Sequence, residues 1–220
     1  AEVDPGVRVI VLTNSGAVFC AGANLKERIS KSDSPKVGGA VAPDDFFRRF
    51  ARSAKPYVGR LDGHCVAGGL GLAAAMDISI ARDDAKFGFT EVRIGVAPAM
   101  ISVLCLPKMR TADAREAMLR GNRFLAPAAA RLGLINAAVP AEQLDAAVDA
   151  VVQDLLAGGP EAIAATKRLL SEVPQMDTDE AFAFTAKMSA ERFRSAEATE
   201  GMTAYLEKRP ASWVSDSDPS

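Results

Sequence analysis

The sequence predicts a mixed α/β fold: an α/β front half followed by a helical C-terminal part. Three observations carry this. Val7 to Thr13 (VRVIVLT) is a nearly continuous β-branched run, the pattern of a strand buried on both faces. Short extended segments then alternate with small-residue turns and helix starts as far as Pro98. Beyond Pro98, apolar residues recur at helical spacing between helix-starting and helix-ending signals. With 220 residues the chain is one large domain or two small ones, and a 49% hydrophobic composition supplies a core and excludes global disorder.

Taken in order, Asn14-Ser15-Gly16 turns the chain, and Val18-Phe19-Cys20 forms a second short extended piece. Asn24 with Glu27 three residues on resembles a capping box that opens a helix. Ser30 to Pro43 is rich in Ser, Lys, Gly and Pro without periodicity and reads as a mobile surface loop. Asp44 to Ala54 is expected to be a helix stopped by Pro56, and Val58 to Val66 to run extended into Ala67-Gly68-Gly69-Leu70-Gly71. Helix then extends up to Asp77, and Ile78 to Ala81 and Lys86 to Phe89 are short strands. Thr111 is expected to cap a helix that Gly121 closes, and Pro127 to Leu132 to form one ending at Gly133. Leu144, Val148, Val151, Val152 and Leu155 share one helical face, Pro160 opens the next helix, and two more fit Asp179 to Ala196 and Glu200 to Lys208.

Several function classes fall away on composition. A formal charge of −2 with no basic block argues against a nucleic-acid partner. Three cysteines (Cys20, Cys65, Cys105) without CxxC spacing argue against a disulfide framework and a structural metal, and fit a reducing, cytoplasmic setting. No apolar run approaches the ~20 residues of a membrane span, so no membrane association is expected. Ala1 to Pro5 read as the tail of an earlier element, with the protein expected to begin upstream.

Two small-residue turns, Ala21-Gly22-Ala23 and Ala67-Gly68-Gly69, each stand between an extended segment and a helix start. Helix starts leave backbone N–H groups unpaired, and small side chains allow close approach to the main chain. If adjacent in space, the turns could aim two N–H donors at one oxygen, an oxyanion hole worth about 3–4 kcal/mol per donor. Spacing alone leaves a second reading equally open, that both turns serve close packing.

The segments FCAGANLKE, GHCVAGGLGLAAAMDISIA and AKFGFTEVRIGVAP, continued by RLGLINAAVP and EGMTAYLEKRPASW, resemble the ordered motifs of the crotonase family of enoyl-CoA hydratases and isomerases. The resemblance runs from about Val7 to Trp213. It implies a spiral of ββα units with a C-terminal helical trimerisation region: residues 1–125 would be the core carrying an acyl-CoA site, and 126–220 the helical part. By position, Ala23 and Gly68 match the donors to a thioester oxygen, and Glu91 matches a catalytic glutamate that moves a proton or orients water. Ala21, Asn24 and Gly71 belong to the implied substrate site, and Leu25 and Lys26 to the segment lining the CoA path. Lys208 matches a lysine that reaches the nucleotide end of CoA on a neighbouring subunit. The implied assembly is a homotrimer or a dimer of trimers, with CoA carried by the substrate and no separate cofactor or metal. The chain departs from the family pattern in having Asn24 for a common Asp and Gly71 for a second glutamate, and the family's opening strands are expected to precede Ala1.

The expected function is therefore an enoyl-CoA hydratase using an oxyanion hole and the single acid/base Glu91. One base suffices for a 1,3-proton shift, so a Δ3,Δ2-enoyl-CoA isomerase is the alternative, and a non-catalytic acyl-CoA-binding relative a third reading. From another class, Gly69-Leu70-Gly71-Leu72-Ala73-Ala74 matches the GxGxxA of an NAD(P)-binding dehydrogenase, although the preceding GRLDGHCVA is a poor central strand. Glu91 has a competing role as a surface ion-pair partner of Arg93 or Lys86. His64, the only histidine, reads as a hydrogen-bonded structural residue, and Phe182, Phe184, Met188 and Phe193 as core or interface, with Arg192 and Arg194 on a solvated face.

Overall fold

The structure is a computed structural model that describes residues 1–26 and 42–214. The sequence-predicted loop from Ser30 falls mostly, and Glu27 of the expected capping box entirely, outside the described residues. Strands come in consecutive pairs, and each pair sends one member to each of two sheets. β1 (Ile10–Leu12), β3 (Tyr57–Leu61), β5 (Ile78–Arg82) and β8 (Ala137–Val139) form one sheet in that order. β2 (Val18–Cys20), β4 (His64–Val66), β6 (Lys86–Gly88) and β7 (Phe124–Leu125) form the other. Neighbours within a sheet thus come from successive pairs and run parallel: Val58 opposite Ile78, Cys65 opposite Phe87, Ile80 opposite Ala137. Only β7 turns back, antiparallel to β6. The helices are α1 (Pro43–Arg52), α2 (Gly68–Ala75), α3 (Ala99–Cys105), α4 (Thr111–Arg120), α5 (Ala126–Arg131), α6 (Leu144–Ala157), α7 (Pro160–Glu172), α8 (Thr178–Phe193) and α9 (Ala196–Glu207).

Three sequence expectations are corrected. The β-branched run from Val7, expected to be buried on both faces, is a strand only over Ile10–Leu12, with Val11 exposed and Ile10 and Leu12 half-buried. The extended run from Val58 breaks into β3 and β4 at Asp62-Gly63. There the Asn14 side chain accepts the Asp62 N–H (3.1 Å) and donates to its carbonyl (3.3 Å). Gly63 passes so close to Ala17 that a β-carbon would lie 2.8 Å from the Ala17 carbonyl. Thr111 is the first helical residue of α4, not its cap, which is Arg110 and makes no side-chain capping bond. Gly121 does close α4, in the left-handed conformation at φ 58°.

Contacts divide the chain into two compact units, one of residues 11–50 and 57–148, the other of 1–10, 51–56 and 149–220. The first unit carries nearly all of the two sheets. Its core includes Leu61, Leu70, Phe87 and Phe89, all fully buried, with Ile101 and Cys105 of α3. Each such side chain contributes about 1.5–3 kcal/mol of burial free energy.

In the second unit, polar clasps join distant segments. The Arg8 guanidinium donates to the carbonyls of Trp213 (2.7 Å) and Gly158 (2.5 Å), and the Trp213 indole donates to that of Ala157 (3.0 Å). Buried Lys167 donates to the Lys55 carbonyl at 3.0 Å. At the start of α7, Pro160 has no N–H, and the next two N–H groups, of Glu161 and Ala162, both donate to the Glu197 carboxylate (2.9 and 2.8 Å). A carboxylate there also complements the positive end of the helix dipole. Glu197→Ala is expected to lower the unfolding free energy by about 1–2 kcal/mol in a urea titration. Glu197→Gln, which keeps one of the two acceptor oxygens but no charge, should lose less.

Candidate active site

Strands β2, β4 and β6 lie side by side and parallel, with Cys20 opposite Cys65 and Val66 opposite Gly88. Their C-terminal ends therefore open on one edge of the sheet. Each of the three segments singled out in the sequence leaves from one of those ends, the place where parallel α/β sheets receive ligands.

After β2, Gly22 turns at φ 83° and its N–H donates to the Cys20 thiol at 3.4 Å. After β4, Ala67 takes φ 51° and ψ −128°, a conformation that costs an L-residue about 1–3 kcal/mol. It is held there by its N–H on the Gly88 carbonyl (2.9 Å) and by its own carbonyl, which accepts from Leu70 (2.9 Å). The two turns meet. A β-carbon on Gly22 would lie 2.9 Å from the Gly68 nitrogen, and one on Gly68 would lie 3.2 Å from the Gly22 Cα. Gly68 opens α2, so its N–H has no partner within the helix. Among the described residues, neither it nor the Ala23 N–H makes a hydrogen bond.

After β6 the chain passes Phe89 into a 3₁₀ turn, Thr90–Ile94, that carries Glu91. Glu91 Oε2 is buried without a hydrogen-bond partner. Burial raises the Glu91 carboxyl above the usual carboxylate range, opposed by its own backbone N–H. The competing role as an ion-pair partner of Arg93 or Lys86 is not realised: among the described residues Glu91 makes no ion pair. Cys105 of α3 is electrostatically coupled to Glu91. Its thiol is pushed up to about 12 by burial, eased by Lys108 and reinforced by the Glu91 charge.

The remaining residues singled out divide by place. Ala21, Ala23, Asn24, Leu25 and Lys26 are exposed beyond β2; the Asn24 side chain accepts the Lys26 N–H (3.2 Å), and helical backbone begins at Leu25. Gly71 is buried one turn along α2, where Ile101 fills the space a side chain would need: a β-carbon would lie 2.2 Å from its Cγ2. Lys208 lies in the second unit, exposed at the end of α9 with φ 57°. His64 is structural, its Nδ1 accepting the Lys86 N–H at 3.1 Å between β4 and β6. The glycines of the GxGxxA match face protein: a β-carbon on Gly69 would lie 2.0 Å from the Cys20 carbonyl oxygen, and Gly71 is against Ile101. Close packing of this kind leaves no room beside them for a dinucleotide. Sequence reasoning placed Ala67 in the turn but missed its strained backbone, which has no residue signature in an alanine, and missed Ile101, which sits in an apolar stretch without a motif.

Paired strands shared between two sheets, two glycine turns meeting at one sheet edge and a third segment leaving that edge with a buried carboxylate oxygen describe a mixed α/β protein with a candidate active site. The chain belongs to the enoyl-CoA hydratase/isomerase family, whose sequence model matches residues 1–216. It is 31% identical to the crotonyl-CoA hydratase of Syntrophomonas wolfei over 96% of this chain and 82% of that protein. It is 30% identical to the carnitinyl-CoA dehydratase of Proteus mirabilis, again over 96% and 82%. Among solved structures, an enoyl-CoA hydratase/isomerase from Marinobacter aquaeolei superposes with a TM-score of 0.88 at 29% identity, covering 97% of this chain and 84% of that one.

The raised Glu91 carboxyl has a consequence for stability. The folded state holds the Glu91 proton to a higher pH than the unfolded chain, so stability is lost as pH rises from the ordinary carboxylate range through the raised value. Glu91→Gln removes that loss. The variant is expected to gain in urea midpoint over the parent as pH is taken from about 4 to about 8. A difference independent of pH would count against a desolvated Glu91.

Proposed function

We propose that the protein is an enoyl-CoA hydratase in which the N–H groups of Ala23 and Gly68 bind the thioester oxygen and Glu91 moves the proton. One observation carries this reading: Glu91 presents a buried, unpartnered carboxylate oxygen with raised proton affinity, at the same sheet edge as the two meeting turns. Donors on a thioester carbonyl draw electrons from the enoyl group, making its β-carbon electrophilic and stabilising the enolate oxyanion that follows attack. Glu91 takes a proton from water as the water oxygen bonds the β-carbon, then returns that proton to the α-carbon as the enolate collapses to the carbonyl. Water is thus added across the double bond, and Glu91 ends as it began. A proton affinity lifted toward neutrality suits a group that must both accept and donate.

This chemistry needs only the CoA that the substrate carries. Ala21, Asn24, Leu25 and Lys26 are the proposed lining of the CoA path, with Gly71 behind the carbonyl site and Lys208 contacting the CoA nucleotide on a neighbouring subunit. The exposed apolar side chains of the second unit, among them Phe182 and Phe193 of α8 and Tyr205 and Leu206 of α9, support a subunit interface, and the proposed assembly is a homotrimer or dimer of trimers. Among the described residues no helix is long and apolar enough to cross a membrane, and the cytoplasm is the proposed location.

One observation favours the isomerase as a second reading. Ile101 fills the space at Gly71, and a lone carboxylate is all that a 1,3-proton shift requires. Crotonyl-CoA, followed by loss of enoyl absorbance, and a 3-enoyl-CoA run in parallel separate the two. Hydration of crotonyl-CoA faster than isomerisation supports the hydratase; the reverse order assigns the isomerase. Glu91→Gln is expected to lower kcat by about 10²–10⁴-fold while acyl-CoA binding persists. Unchanged turnover would remove Glu91 from the mechanism, and a parent inert toward both substrates would leave a non-catalytic acyl-CoA-binding protein.

A further inference from the structure

Helix α2, whose first N–H belongs to Gly68, is gripped on two sides with no side chain between. Gly69 lies against β2: a β-carbon there would stand 2.0 Å from the Cys20 carbonyl oxygen and 2.6 Å from its carbon. Gly71 follows two residues later, about 200° around the helix, and so faces the opposite side. There a β-carbon would stand 2.2 Å from Cγ2 and 2.7 Å from Cβ of Ile101. The backbone of α2 is thus in direct contact with Cys20 on one flank and with the branch of Ile101 on the other. Gly68 sits at the end of this clamp, against Gly22.

The two jaws differ in what can move them. Cys20 belongs to β2, held by its parallel ladder with β4. Ile101 belongs to the short helix α3, is 3% exposed, and is β-branched, so its side chain is restricted to one main rotamer on a helix. A stiff, buried branch seated in a notch of matching shape acts as a backstop. Removing it leaves a void that dense packing cannot close without a shift of α2. Such a shift would move Gly68 away from Gly22 and change the separation of the two donor-bearing turns.

We propose that Ile101 is a positioning residue for the carbonyl site, holding α2 against the end of β2 so that the Gly68 N–H and the Ala23 N–H converge on one oxygen. This rests on the reading of those two groups as thioester donors. It assigns a catalytic consequence to a side chain that touches neither donor's turn nor the carboxylate in any hydrogen bond. The atoms that matter are Cβ and Cγ2, the two that meet Gly71.

The test uses [1-¹³C]butanoyl-CoA, a saturated thioester with no double bond to hydrate, and reads its carbonyl stretch by isotope-edited infrared spectroscopy. In the parent, binding should lower the frequency. Ile101→Ala should shrink that shift and lower kcat about 10-fold, the order expected for displacement of a positioning group, with KM changed by less than about threefold. Ile101→Val keeps Cβ and Cγ2 and should retain shift and kcat. Ile101→Leu keeps the carbon count but loses the Cβ branch; it should behave like Ala, and it serves where Ala fails to fold. If Ala and Leu lower only the melting temperature and leave the shift and kcat of the parent, Ile101 merely packs and the inference is overturned while the donors stand. A parent saturated with ligand that shows no shift overturns the donor reading itself.

Discussion

The main-chain contact between Gly22 and Gly68 is the constraint on which the site depends. Two turns separated by more than forty residues can approach backbone to backbone only if the strands before them end together. The parallel ladder of β2 and β4 provides that, with Cys20 opposite Cys65. It also requires that neither turn carry a side chain at the contact, which Gly22 and Gly68 satisfy. Ala67 then holds a left-handed backbone conformation at a cost of about 1–3 kcal/mol, which the surrounding core is large enough to offset. Strain at the turn and burial beneath it are two sides of one arrangement: the strand ends are anchored by Cys65, Phe87 and Phe89, all fully buried, so the turn cannot relax.

The third strand of the ladder brings the charge. β6 continues the register to Val66 opposite Gly88, and the chain leaves it through Phe89 into the turn that carries Glu91. Neutral N–H donors and an uncompensated carboxylate are a deliberate pairing of opposites in the proposed reaction. A cation placed to bind the thioester oxygen would also stabilise ionised Glu91 and lower its proton affinity, whereas backbone dipoles polarise the carbonyl and leave the carboxylate's elevation by burial largely intact. In the proposed chemistry hydration and isomerisation differ in where the Glu91 proton comes from: water, whose oxygen bonds the β-carbon, in the first, and a carbon of the substrate in the second.

Beyond the site, the second unit follows different rules. Its helices are fastened by side chains that reach carbonyls and helix starts, as Arg8 does to Trp213 and Gly158 and as Glu197 does to α7. Large apolar side chains on α8 and α9 stay exposed within the chain, Phe182 at 72% and Tyr205 at 84%. Such surfaces are what a subunit interface covers, and in the proposed assembly they do so.

By itself the sequence determined the class of fold, the family and most helix limits, because these are written locally. Gly121 marks a helix end through its freedom to take positive φ and Pro160 a helix start through its fixed φ, and the motifs around Gly22, Gly68 and Glu91 carry a family resemblance in order and spacing. The run from Val7 is β-branched over more residues than the three that form β1, because where pairing stops is set by the neighbouring strand. Only the tertiary structure decided that the two turns touch, that Glu91 keeps a free buried oxygen instead of an ion pair, and that Ile101 occupies the notch at Gly71. Each of those is a contact between residues distant in the chain. The reason is physical: local preferences choose the element, whereas distance, desolvation and steric fit exist only once the parallel strands have brought their ends together.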